Sequence, residues 1–248
     1  MKAVILAAGK GTRMGDLTRN TPKPLIEIAG KPMIEHVIGY IVESGVSEFV
    51  LTTRYLSDKV RGCLGDGARL GARIQYVEQS GRYGTGAALL EARDIVGYDP
   101  VMMTFADIMT PAANYAGALA TFREKGGVAV TTLNWVDDPS RGGAVEIDED
   151  GRVCGIVEKP PKGQAPSNWN SAGIFVFEPI IFQYLEAIKP SPRGEYELPD
   201  AMNAMIDDGL AIYPYYLKGA WIDVGRPEDI HRAEEMLRRE AAGAHSDS

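Results

Sequence analysis

The run AVILAA at residues 3–8 is apolar at every position and leads straight into Gly9. A strand without a polar face must be buried on both sides, as strands of parallel α/β sheets are. In MIEHVIGYIVESG (33–45), Met33, Ile34, Val37, Ile38, Ile41 and Val42 share one helical face, and Gly45 supplies the stop. EFVLTT (48–53) then reads as a strand again. Strand, loop, helix, strand is a βαβ unit, and such a connection imposes parallel pairing. The loop between the first strand and the helix holds about 25 residues, where a few would suffice. Its length predicts a function beyond connection.

The alternation continues along the chain. RIQYV (73–77) reads as a strand, GAALLEARDIV (86–96) as a helix, and VMMTFAD (101–107) as a buried strand ending in an acid. A helix around 112–125 precedes the strand VAVTTL (128–133). GGAVEIDEDGRVCGIVEKP (142–160) predicts a hairpin about the turn Asp148–Gly151. SAGIFVFEP (171–179) is a further strand with a helix behind it to about 188. AIYPYYL (211–217) alternates like an edge or hairpin strand, and a last helix starts near Pro227. No repeat or Pro/Gly/Ser-rich linker interrupts this order. We read one domain over 1–240, with a doubly wound half at 1–135, a more mixed half at 136–240, and a frayed tail at 241–248.

Composition narrows the partners. The net charge is -8 with no long basic run, which argues against nucleic acid. No apolar run approaches the ~20 residues of a membrane helix, and the Met-Lys start runs directly into a strand, so neither membrane nor secretory leader is expected. Cys63 and Cys154 form no CxxC pair and read as reduced, partly buried thiols of a cytoplasmic protein.

The first loop admits three readings. The dinucleotide fingerprint GxGxxG lacks its third glycine in Gly9-Lys10-Gly11-Thr12-Arg13-Met14. The Walker A spacing is absent. The third is a different phosphate loop, in which Gly9 and Gly11 bring backbone N–H groups close to an anion and Arg13 adds a fork of donors. A plain tight turn with solvated Lys10 and Arg13 accounts for the glycines equally well. Lys23, stiffened between two prolines in TPKPL (21–25), favours the phosphate loop.

LAAGKGTRM (6–14) followed by TPKPLIEIAGKPMIEH (21–36) resembles the N-terminal signature of the sugar-phosphate nucleotidyltransferases, the nucleoside-diphosphate-sugar pyrophosphorylases. The likeness extends to about residue 237 and is nearest to thymidylyl- and uridylyltransferase members. It implies a Rossmann-like mixed, mainly parallel α/β sheet flanked by helices, the nucleotide-diphospho-sugar transferase fold. It also implies joining of a nucleoside triphosphate to a sugar 1-phosphate with loss of pyrophosphate, the half at 1–135 binding the nucleotide and the half at 136–240 the sugar phosphate.

By this resemblance Leu6, Ala8, Gly9, Gly11 and Thr12 wrap the triphosphate, Arg13 meets the leaving pyrophosphate, and Lys23 contacts phosphate at the reacting centre. Gln79, Gly84 and Thr85 match the base-reading segment. A glutamine amide can donate to one edge atom of uracil or thymine and accept from N3–H, which favours UTP or dTTP. Asp107 in TFAD, where the family usually has Gly-Asp, and Asp223 in GAWIDVGRPEDI match the residues that hold Mg²⁺. Gly143 leaves room for the hexose, Glu158 of EKP binds sugar hydroxyls, and Lys159 holds the sugar phosphate. Ser171 stands where acetylglucosamine enzymes have asparagine, which weakens the case for an N-acetylated sugar; among the open hexoses glucose 1-phosphate is favoured by the resemblance. Glu195 in GEYELPD is assigned to the sugar side. His36, on the polar side of its helix, His231 and His245 have no metal-ligand spacing and no assigned role.

Three alternatives stay open: a mannose-1-phosphate guanylyltransferase, a cytidylyltransferase, and a non-catalytic nucleotide-sugar-sensing subunit. Arg13, Lys23, Asp107, Lys159 and Asp223 are all present, which speaks against the last. Longer members carry an acyltransferase or helical extension beyond the point matching residue 237, so no second activity is expected. A homo-oligomer is left open.

Overall fold

The computed structural model describes residues 1–244. Its centre is a nine-stranded sheet made of β1 (Lys2–Ala7), β2 (Glu48–Thr53), β3 (Arg73–Glu78), β4 (Val101–Phe105), β5 (Ala129–Trp135), β6 (Gly143–Ile147), β7 (Val153–Glu158), β8 (Trp169–Phe177) and β9 (Ile212–Tyr216). One path runs β7-β6-β8-β4-β1-β2-β3, and β5 joins β8 on one side and β9 on the other. β1 pairs in parallel with β2 and β4, and β2 with β3, as the βαβ reading requires. The long strand β8 runs antiparallel to β4, β5 and β6 and so joins the two halves of the chain in one mixed sheet.

Burial explains the apolar strands. Ala3, Ile5 and Ala7 of β1 face one core with Val37, Ile38 and Ile41 of helix α1 (Met33–Glu43). Val4 and Leu6 face a second core on the other side of the sheet. Each fully buried Ile or Leu contributes roughly 1.5–3 kcal/mol. The long first loop holds the 3-10 turns Thr12–Thr18 and Lys23–Leu25 and a small ribbon of Glu27–Ile28 with Lys31–Pro32.

Several boundaries differ from the sequence reading. Residues 86–96 form two helices, α3 (Thr85–Leu90) and α4 (Arg93–Val96), not one. α2 (Ser57–Leu64) and α7 (Leu198–Asp207) are helices that the sequence reading does not include. α5 (Ala112–Lys125) and α6 (Ile181–Ala187) lie where they were expected. Tyr216 ends β9 as an edge strand, parallel to β5, because Pro214 suits an edge rather than a central ladder. α8 runs Pro227–Ala244, so residues 241–244 are helical rather than frayed, while the rest of the expected tail and His245 lie outside the described residues. Cys154 is exposed rather than partly buried, and neither cysteine forms a disulfide. Among the described residues no helix is long and apolar enough to cross a membrane.

Candidate active site

The first loop brings its cations to one place. Gly11 adopts φ +63°, and a Cβ there would lie 2.8 Å from Lys23 Cβ. Glycine is needed on both counts, the left-handed backbone and the close approach. Lys23 opens its 3-10 turn between Pro22 and Pro24 with a buried stem, and its ammonium is ion-paired with the Asp107 carboxylate. The Arg13 guanidinium lies against Gly225, whose Cβ would stand 3.3 Å from Nη1.

Asp107 and Asp223 are far apart in sequence and neighbours in space. Directly after β4 the chain forms a two-residue ribbon, Ile108–Met109 against Ile222–Asp223, in which Asp223 is the partner of Ile108. Val224 N donates to Asp107 O at 3.0 Å. The Asp223 carboxyl is open to the cleft but walled by protein. Desolvation there, together with the neighbouring Asp107 charge, pushes its pKa up to about 6, against the opposing pull of Lys23 and Arg13.

Two cavities meet at Asp107. The smaller, about 190 Å³, is walled by Leu6, Ala8, Gly9, Gln79, Gly84 and Glu195 among others. The larger, about 990 Å³, takes in Arg13, Gly143, Glu158, Lys159, Ser171 and Asp223. Thr85, Phe105 and Asp107 line both. Glu195, which the resemblance puts on the sugar side, thus stands in the smaller cavity. Gly11 and Thr12 line neither and act on the site through the loop's path.

Gln79 is buried, and its Nε2 donates to Arg82 O and Gly84 O, both at 3.2 Å. The amide nitrogen is therefore committed to the loop, which leaves Oε1 as the free acceptor. Gly84 takes φ +124°, with a Cβ position 2.4 Å from Tyr196 O. Thr85 Oγ1 accepts from Leu198 N at 3.0 Å.

On the larger side, Glu158 and Gly143 pair across the hairpin. Lys159 follows in the left-handed region at φ +47°, its N–H donating to Gly142 O at 2.8 Å. An unusual conformation of this kind, costing roughly 1–2 kcal/mol, aims the side chain out of the strand direction and into the cleft. Lys159 Nζ lies 3.2 Å from Glu158 Oε1. The Ser171 Oγ is buried at the cavity wall with no hydrogen-bond partner in the protein.

Arg193 was not anticipated from sequence. Its guanidinium reaches Glu197 at 2.6 Å, Glu158 at 3.6 Å and Glu195 at 3.8 Å, tying the two cavities' acids together. The alternating acids after it in RGEYEL were the available signal. His36 and His231 line neither cavity. His36 is half-buried, not on a polar face: its Nε2 meets Ile28 O at 2.9 Å, and burial pulls its pKa down. His231 pairs with Glu235 on the surface of α8.

Arg13 and Lys23 follow β1 and Asp107 follows β4, so this part of the site lies beyond the carboxyl ends of parallel strands, where open α/β sheets bind ligands. The profile of the nucleotidyl transferase family matches residues 2–240, so the chain belongs to that family. It is similar to the bifunctional protein GlmU of Methanococcus maripaludis, 36% identical over 93% of this chain and 53% of that protein. It is also similar to the UTP–glucose-1-phosphate uridylyltransferase AglF of Haloferax volcanii, 34% identical over 98% of this chain and 99% of that one. Among solved structures, a putative glucose-1-phosphate thymidylyltransferase from Bacillus anthracis, in complex with a sucrose, superimposes with TM-score 0.85 at 29% identity, covering 96% of this chain and 95% of that one. The chain spans from about half to two thirds of the length of several other relatives.

Proposed function

We propose that this chain joins a nucleoside triphosphate, dTTP or UTP, to a sugar 1-phosphate, glucose 1-phosphate foremost, releasing pyrophosphate. The observation that carries the reading is the meeting of the two cavities at Asp107, with Lys23 paired to it in the smaller cavity and Arg13 and Lys159 lining the larger. The smaller cavity takes the base end of the nucleotide, and the larger takes the sugar phosphate and, at Arg13, the leaving pyrophosphate. The names of AglF and of the Bacillus anthracis protein support the same substrates.

No protein nucleophile is required. A sugar-phosphate oxygen attacks the α-phosphorus, the bond to the bridging oxygen breaks, and pyrophosphate leaves with the electron pair. Catalysis then consists of positioning and charge neutralisation. Lys159 holds the incoming phosphate, Lys23 exchanges Asp107 for a phosphate oxygen, and Arg13 neutralises the leaving group. Asp107 and Asp223 fit a Mg²⁺ ion: they are neighbouring carboxylates whose charges repel one another, the oxygen donors such an ion takes alongside phosphate and water. Mg²⁺ bound there would offset phosphate charge. The free acceptor on Gln79 suits an N–H donor such as the N3–H of uracil and thymine. A cytoplasmic location belongs to the proposal, supported by the two unpaired thiols.

The test is pyrophosphate release by the purified protein with Mg²⁺, crossing UTP, dTTP, CTP, GTP and ATP with a panel of hexose 1-phosphates. Release with dTTP or UTP and glucose 1-phosphate supports the reading. Release only with GTP and mannose 1-phosphate overturns the base assignment. Silence across the panel, with nucleotide binding intact, favours a sensing subunit.

A further inference from the structure

We propose that Tyr83, backed by Arg54, stacks on the nucleobase in the smaller cavity. The inference rests on reading that cavity as the base site. Tyr83 is a wall of the cavity together with Gln79 and Leu6, yet 49% of its surface is exposed. An aromatic side chain left this open at the lip of an apolar cavity contributes little to the core and has ring area to offer a flat ligand.

The loop presents the ring from a rigid platform. Tyr83 O accepts from Tyr196 N at 2.8 Å, and the Gln79 amide holds the carbonyls of Arg82 and Gly84 on either side. Gly84 is locked against the Tyr196 backbone, and the Arg82 guanidinium packs over the Tyr196 ring at 4.8 Å. The backbone that carries Tyr83 is therefore tied to both Gln79 and Tyr196.

Arg54 supplies the second observation. Its guanidinium lies 5.7 Å from the Tyr83 ring centroid, within cation–π range, and it is not a wall of the cavity. It forms no ion pair among the described residues. The cation steadies the ring from outside, and a base seated at Gln79 extends the stack from within. Stacking accepts any base, since every base has a π-face. Tyr83 thus supplies affinity, while Gln79 supplies the choice of base.

Calorimetric binding of dTTP, UTP and base-less ribose 5-triphosphate tests this on the wild type, Tyr83→Phe, Tyr83→Ala and Arg54→Gln. The expected result is that Tyr83→Ala weakens dTTP and UTP roughly tenfold and leaves ribose 5-triphosphate unchanged. Tyr83→Phe should stay near the wild type and Arg54→Gln should fall between. The partly exposed Tyr83 is not a core residue, and an unchanged melting temperature confirms that each variant is folded. If the wild type prefers dTTP over ribose 5-triphosphate and Tyr83→Ala keeps the full preference, stacking is overturned and the base site stands. If the wild type shows no preference, the base-site reading falls and the stacking role with it.

Discussion

The Cβ position of Gly11 lies 2.8 Å from Cβ of Lys23 and 3.1 Å from the Thr18 methyl. The glycine loop and the lysine turn are thus packed as one unit, and the lysine's position depends on the absence of a side chain at residue 11. Gly11→Ala introduces both a clash and a positive-φ penalty of about 1–2 kcal/mol. It should lower stability by at least that much in a denaturant titration and drop kcat tenfold or more, because Lys23 is pushed from the reacting centre. Wild-type turnover in this variant would show that the loop has slack.

Lys159 at φ +47° is held in a conformation that its side chain does not favour. Such strain persists at functional positions because the surroundings over-determine it. Lys159→Ala should reduce kcat/KM roughly 10²-fold, the cost of losing a donor at developing charge. Lys159→Gly should lose as much activity while gaining stability, since glycine relaxes the backbone. Equal melting temperatures for wild type and Lys159→Gly would argue against the strain.

Arg193 bridges Glu158 and Glu195, one from each cavity. Arg193→Met leaves those acids and the buried Glu197 to repel one another. KM for the sugar phosphate should rise, and a double-mutant cycle with Glu158→Gln should give a coupling of about 0.5–3 kcal/mol. Strict additivity of the two substitutions would dissociate Arg193 from Glu158.

Away from the site, Glu35 is buried on α1 and takes a two-pronged bond from Arg69, Nη1 to Oε2 at 2.9 Å with Nη2 on Oε1. The hydrogen bond to Arg69 holds its pKa below the ordinary 4.5 despite the counter-effect of burial. A carboxylate depressed on folding stabilises the protein above its unfolded pKa and loses that contribution as pH falls through the folded value. Glu35→Gln should therefore cost about 1–2 kcal/mol near neutral pH and progressively less below pH ~4. A difference that does not vary with pH would rule out the ion pair as its source.

Much of the N-terminal half was legible in the sequence because its signals are local. β1, α1 and β2 are contiguous patterns, and their βαβ connection leaves one pairing sense. The differences fall in both halves. α2 and α7 are absent from the sequence reading, although α7 spaces its buried Leu198, Ala201, Met202 and Met205 as a helix does; the Leu-Pro at its start disguises the pattern. The helix read as 86–96 breaks at Glu91–Ala92.

The site divides along the same line. Gly11, Lys23 and Lys159 announce themselves through short motifs, because glycine freedom, proline stiffness and turn chemistry act over a few residues. The Asp107–Asp223 pairing, the Arg193 bridge between cavities and the commitment of the Gln79 amide to its own loop came into view with the folded chain. Each depends on which strands lie side by side and which loops cross at their ends. Such long-range neighbours are set by packing the whole sheet, and no window of sequence contains them.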